Sequence, residues 1–145
     1  MKRSFFTISL LLMAGLTAGG QNGKYYEKLV AEGNRFYAEE QYSLAIDYYK
    51  DAIAVDINDP GVDYKLAESF RNTFNYPEAE VYYLKVLYTA QNSFPLSLFY
   101  YALMLKLNGN VSEAMERFDQ FIAFHTQNPT LKNFVEQAII EKAAC

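Results

Sequence analysis

The chain has 145 residues, of which 51% are hydrophobic and 21% charged, with 13 Lys+Arg against 17 Asp+Glu. That length and apolar content suit one domain with a packed core and exclude wholesale disorder. A net charge of −4 speaks against nucleic acid as the main partner, because phosphate binding needs a basic face. With 4 Pro and 7 Gly a turn-rich all-β fold is disfavoured, and one cysteine, Cys145, excludes an internal disulfide and a cysteine-built zinc site.

Residues 1–20 read as a secretory signal segment. Lys2 and Arg3 form a basic start, Phe5 to Leu16 is an apolar run of 12 residues, and Thr17-Ala18-Gly19-Gly20 is small. The run is too short for a stable membrane span, and its order is that of a peptide removed on export. Ala18 and Gly20 place cleavage after Gly20, or two residues earlier. Loss of Lys2 and Arg3 then takes the net charge from −4 to −6.

From there the chain repeats. GNRFYAEEQYSLAIDYYKDAIAVDIND from Gly33, AESFRNTFNYPEAEVYYLKVLYTAQNS from Ala67 and ALMLKLNGNVSEAMERFDQFIAFHTQN from Ala102 align. Each has a small residue, then an alanine (Ala45, Ala79, Ala114), then an aromatic four residues on (Tyr49, Tyr83, Phe118). The alanines are 34 and 35 residues apart. Apolar spacing of i, i+3, i+4 and i+7 predicts helices over 24–38, 42–56, 61–74, 77–90, 96–107 and 112–126. Glu39-Glu40-Gln41, Asn75-Tyr76-Pro77 and Asn108-Gly109-Asn110 break the helices within units. Asn58-Asp59-Pro60-Gly61, Asn92-Ser93-Phe94-Pro95 and Gln127-Asn128-Pro129 separate the units. Ser112 with Glu113 and Glu116 has the composition of a helix start. A seventh helix over 130–144 carries Leu131, Phe134, Val135, Ala138 and Ile139 on one stripe, as a helix covering the last unit needs.

This spacing resembles the tetratricopeptide repeat family. Gly33, Ala45 and Ala52 occupy that family's small-residue positions in the first unit, Ala67 and Ala79 in the second, and Ala102 and Ala114 in the third. Val86 and Phe121 replace the last small residue, and Asp56-Ile57-Asn58 stands where the family has Asp-Pro-Asn. The resemblance implies an all-α, right-handed α-α solenoid of three helix-turn-helix units (about 26–59, 60–94 and 95–128) and a capping helix, together covering 24–144. It also implies recognition of a protein or peptide segment in a groove lined by the first helix of each unit. Carried onto this sequence, the groove stripe is Glu27, Val30, Asn34 and Tyr37, then Tyr64, Glu68, Arg71 and Asn72, then Leu96, Phe99, Leu103 and Lys106. Arg71 and Lys106 are expected to pair with ligand carboxylates, Asn34 and Asn72 to bond an extended backbone, and Tyr37, Tyr64 and Phe99 to supply stacking area. The carboxylate clamp of one family subset matches only at Asn34, with Val30 where a lysine would stand.

No catalytic constellation accompanies the repeat. His125 is the only histidine; no phosphate loop, His-Glu-x-x-His or cysteine pair occurs, so no cofactor or metal is expected. Glu39/Glu40, Glu78/Glu80 and Glu113/Glu116 read as acidic helix starts. The function expected is that of a non-enzymatic scaffold in the periplasm or cell envelope of a Gram-negative bacterium, binding protein and not nucleic acid, with no stable membrane span once the signal is removed. YPEAEVYYLKVL and PLSLFYYALMLKLNGNVSEAMERFDQF also resemble the N-terminal repeat module of Bacteroidetes-type OmpA-like outer-membrane proteins, some of which serve type IX secretion or gliding. An enzyme's accessory subunit is a further alternative.

Overall fold

The computed structural model describes residues 15–55 and 58–145, with side chains from residue 22 onward. Most of the expected signal segment (1–14) and Asp56-Ile57 lie outside the described residues. Seven α-helices follow in order: α1 Gly15–Ala38, α2 Tyr42–Val55, α3 Pro60–Asn72, α4 Tyr76–Ala90, α5 Ser97–Leu107, α6 Val111–His125 and α7 Lys132–Ala143, the last preceded by a 3₁₀ turn at Pro129–Leu131. No strand occurs among the described residues. Each helix packs chiefly on its neighbours in sequence, α1 on α2, α2 on α3 and so on to α6 on α7. The result is the expected right-handed α-α solenoid.

The small residues sit where helices meet. Ala45, Ala67, Ala79, Ala102 and Ala114 have no exposed surface, and neither do Tyr49, Tyr83 and Phe118. Close approach of two helices leaves no room for a side chain at the crossing, and the ring one turn on fills the space beside it. Burying each such ring contributes about 1.5–3 kcal/mol. Gly33 makes the tightest of these contacts: a Cβ there would lie 2.6 Å from Cε1 of Tyr49.

The three turns within units share one geometry. Glu40, Phe74 and Gly109 all have left-handed backbone, with φ of 58°, 60° and 87°. The amide of the next residue reaches back to the carbonyl five before it: Gln41 to Phe36 at 2.9 Å, Asn75 to Phe70 at 2.9 Å and Asn110 to Leu105 at 2.8 Å. This closure consumes helix-end carbonyls and favours glycine, which only the third unit supplies. Between units 1 and 2, Asp59 caps α3 through Oδ1, which accepts from the amides of Gly61 (2.8 Å) and Val62 (3.2 Å), with Pro60 at the first helical position.

Several local expectations need correction. α1 begins by Gly15, not near 24, and runs through the expected cleavage point after Gly20. The expected helix start at Ser112 and Glu113 does hold: α6 starts at Val111 with Glu113 in its first turn, and Asn110 before it donates to Glu113 Oε2 at 3.0 Å. Glu39 and Glu40 lie in the turn before α2, and Glu39 pairs with Arg35 at 3.0 Å across the end of α1. Of the expected last stripe, Leu131 in the 3₁₀ turn and Val135 and Ala138 on α7 are buried and Phe134 is half-buried, but Ile139 faces solvent.

Candidate functional site

The first helices α1 and α3 carry most of the predicted stripe, and between them lies a cavity of about 410 Å³. Val30, Asn34 and Tyr37 line it from α1; Gly61, Val62, Tyr64 and Lys65 line it from α3. Asp59 and Phe94 complete it from the two inter-unit loops. The Tyr64 and Phe94 rings stack, with centroids 4.9 Å apart and planes 21° from parallel. Tyr26 on α1 donates to Asp59 Oδ2 at 2.6 Å, tying α1 to the start of α3 beside the cavity.

Asn34 is aimed by the core. The buried Tyr49 donates its hydroxyl to Asn34 Oδ1 at 2.9 Å, which turns the amide nitrogen the other way. Burial raises the Tyr49 hydroxyl's pKa, so it remains a donor. The Lys65 ammonium lies over the Tyr37 ring, 4.3 Å from its centroid. Burial, with the nearby Glu68 carboxylate, pushes the Tyr37 hydroxyl up to about 12.

Deeper on the same face, Glu68, Arg71 and Tyr83 form a network that Tyr37 joins through Glu68. Glu68 is buried and accepts from Tyr83 and, at 3.1 Å, from Arg71 Nη2. Arg71 Nε also donates to the Tyr83 hydroxyl at 3.2 Å, and its guanidinium lies 4.4 Å from the Tyr100 ring centroid. Burial alone would lower the Arg71 pKa, but Tyr83 and Glu68 outweigh it and hold it raised. For the Tyr83 hydroxyl, burial and Glu68 both act upward.

The predicted residues therefore divide. Asn34, Tyr37 and Tyr64 line one cavity, as their shared stripe implies. Glu68 and Arg71 neutralise each other and belong to the framework. Asn72 donates to its own helix at the Glu68 carbonyl, 2.8 Å away. Phe99 is only 1% exposed and packs on Phe118, Phe121 and Phe134, so it offers no stacking surface. Lys106 is tied to α7 through the Glu141 carboxylate at 3.0 Å and the Glu141 carbonyl at 2.8 Å. The expectation that Arg71 and Lys106 stand free for a ligand carboxylate is thus corrected: α7 and α3 supply their partners first.

Lys65, Val62 and Phe94 were missed. Lys65 is next to Tyr64 in the second unit and is set by the same turn of helix. Phe94 sits in a stretch that reads only as a break, the loop before α5, and its ring stacks on Tyr64.

Elsewhere, a cavity of about 380 Å³ between α4 and α6 is lined by Leu84, Leu87, Tyr88, Tyr101, Arg117 and Phe124. Arg117 Nη2 donates to Glu113 at 3.0 Å and Nη1 to Gln120 at 3.1 Å. His125 packs against Phe121, with centroids 4.8 Å apart, and burial lowers its pKa. No cluster of three or more His, Cys, Asp or Glu side chains able to hold a metal occurs among the described residues. Nor, among them, is any helix long and apolar enough to cross a membrane.

No protein-family model and no curated protein matches the sequence. Solved structures do. The Yersinia enterocolitica type III secretion translocator chaperone SycD superposes with a TM-score of 0.73 at 18% identity, covering 90% of this chain and 92% of SycD. PcrH, in complex with the chaperone binding region of PopD, gives 0.69 at 19% identity, covering 92% of this chain and 96% of PcrH. The TPR2B domain of yeast Sti1, in a complex with pHsp70, gives 0.70 at 16% identity, covering 82% of this chain and 96% of the domain. At such identities the likeness is one of architecture. With the repeat spacing, the buried alanines and the three matching turns, it establishes that this chain has the fold of a tetratricopeptide repeat domain.

Proposed function

We propose that the chain is a non-enzymatic interaction module that holds an extended polypeptide segment in the trough formed by the first helices of its units. The observation that carries this is Asn34. Its amide oxygen is held by a buried tyrosine, which leaves the amide nitrogen as the side chain's donor at the wall of an open, partly apolar cavity. A polar group held by the core at the wall of a cleft suits recognition of a backbone carbonyl. The folds of PcrH and Sti1 TPR2B, solved with a chaperone binding region and with pHsp70, support the same use of this architecture.

The test is a selection of short random peptides on the purified chain. Binders are then re-measured by fluorescence anisotropy on Asn34→Ala and Tyr64→Ala. Affinity is expected to fall about tenfold or more on each, that is by about 1.4 kcal/mol, with the helical circular dichroism spectrum intact. Binders indifferent to both substitutions would place recognition elsewhere.

Export to the cell envelope is part of the proposal and is supported by Lys2, Arg3 and the apolar run Phe5 to Leu16. Expression in a Gram-negative host, followed by N-terminal sequencing of the periplasmic fraction, should give a chain beginning near Gln21. Retention of Met1 in the cytoplasmic fraction would refute it.

A further inference from the structure

We infer that the cavity between α1 and α3 receives an aromatic or large aliphatic side chain of the bound segment, and that Lys65 receives the carboxylate of an adjacent acidic residue; this rests on the trough reading above. The apolar part of the site is built by Val30, Val62 and the stacked rings of Tyr64 and Phe94. Its volume, about 410 Å³, lies in the usual range of ligand clefts, about 300–1,000 Å³. Parallel rings on one wall offer faces and edges to a further ring.

The charge balance selects the neighbour. Cations elsewhere on and behind this face have carboxylate partners: Arg71 with Glu68, Lys85 with Asp63 and Lys106 with Glu141. Lys65 has no ion pair among the described residues; its ammonium rests on the Tyr37 ring. The one anion in the cavity wall, Asp59, already accepts from Tyr26, Gly61 and Val62. The wall's carboxylate keeps its charge but has its hydrogen-bond partners inside the fold, while its ammonium has no anionic partner, so a ligand anion finds a free counter-charge at Lys65 and a ligand cation meets an acceptor already engaged. The anion is a side chain of a continuing segment, not a chain terminus. The cavity wall offers no second cation to share a terminal carboxylate with Lys65, and Val30 is apolar. The Asn34 amide is then left for a backbone carbonyl.

The experiment uses acetylated, C-terminally amidated peptides bearing Phe-Glu, Phe-Gln, Ala-Glu or Phe-Lys at the centre, and a fifth peptide with Phe at a free C-terminus. Binding is read by fluorescence anisotropy on the whole chain. Phe-Glu should bind best, with about tenfold losses for Phe-Gln and for Ala-Glu and a larger loss for Phe-Lys. Lys65→Gln should erase the preference for Phe-Glu over Phe-Gln while keeping that for Phe over Ala. Val30→Trp, which fills the cavity, should abolish the preference for Phe. Melting curves check that each variant is folded. Equal binding of Phe-Glu and Phe-Gln, a preference that survives Lys65→Gln, or tightest binding by the free C-terminus would each overturn the inference. If selected peptides depend on Asn34 and Tyr64 but carry no aromatic–acidic pair, the inference fails and the trough stands. If none depends on them, both fail.

Discussion

Replacing Gly33 by alanine sets two known effects against each other at one atom. In a helix interior alanine is favoured over glycine by about 1 kcal/mol. In this structure, however, the new Cβ would lie 2.6 Å from Cε1 and 2.7 Å from Cδ1 of Tyr49. That ring is fully buried, and its hydroxyl is fixed on Asn34 at 2.9 Å. It cannot turn aside as the end of a flexible chain would, so α1 and α2 must separate. Overpacking of this kind costs about 1–3 kcal/mol, and a rigid ring held at both ends puts the cost toward the upper end. The net expectation for Gly33→Ala is a loss of about 1–2 kcal/mol. It is measured as a lowered urea midpoint followed by circular dichroism. The companion Gly33→Ala/Tyr49→Leu should recover part of the loss relative to Tyr49→Leu alone, because alanine then shows its helix preference. A higher midpoint for Gly33→Ala with Tyr49 in place would refute the close approach of α1 and α2.

Phe74 has a φ of 60° and is 76% exposed. Phe74→Gly should therefore stabilise the chain by about 1 kcal/mol, read as a raised melting temperature, while Gly109→Ala at the equivalent turn should do the reverse. Tyr83→Phe removes a donor to the buried Glu68 carboxylate and should cost about 1–3 kcal/mol in urea unfolding. Asp59→Ala removes the cap of α3 and the partner of Tyr26, a loss of about 1–2 kcal/mol at neutral pH. Burial alone would push the Asp59 carboxyl up, but Tyr26 and the amides of Val62 and Gly61 hold it below the usual range. Its contribution is complete above the unfolded carboxylate value of about 4 and is lost as pH falls through the lower folded value. Wild type and Asp59→Ala should therefore converge in acid; a gap that persists there would show that the ionised carboxylate is not what matters.

The repeat was legible because it is written in small residues. Ala79 and its equivalents can be recognised by spacing alone, since a 34-residue period of alanine followed by an aromatic has few other uses. The stripe was legible only in part, because periodicity tells which face a residue occupies but not whether another helix already covers it. Phe99 falls in register with Val30 and Tyr64, yet α6 and α7 close over it. Lys106 points the right way, but α7 ends beside it and takes its charge through Glu141. Neither event involves residues near in sequence. The 3₁₀ turn at Pro129–Leu131 was hidden for a different reason. Proline suits the first turn of an α-helix and a 3₁₀ turn equally, and the Asn128 side chain, accepting from the Thr130 amide at 3.0 Å, fixes the tighter form.

The abundance of tyrosine follows from the same geometry. Tyr26, Tyr37, Tyr49, Tyr83 and Tyr101 each put a ring into or beside the core and donate a hydroxyl to Asp59, Glu68, Asn34, Glu68 and Glu113 in turn. Leucines at these positions would bury as much apolar surface but leave those acceptors, several of them partly or wholly buried, without a donor. In four of the five the acceptor is a carboxylate, so part of the chain's acidic complement is hydrogen-bonded by tyrosine within the fold. The net charge of −4 is a property of the whole chain, whereas the cavity wall carries one anion, Asp59, and one cation, Lys65. Glu68 and Asp59 are both engaged there, and the group left over at the surface of the cavity is the ammonium of Lys65. A sequence acidic as a whole can in this way present an ammonium free of any ion pair, and that local group, rather than the total charge, governs which segment it holds.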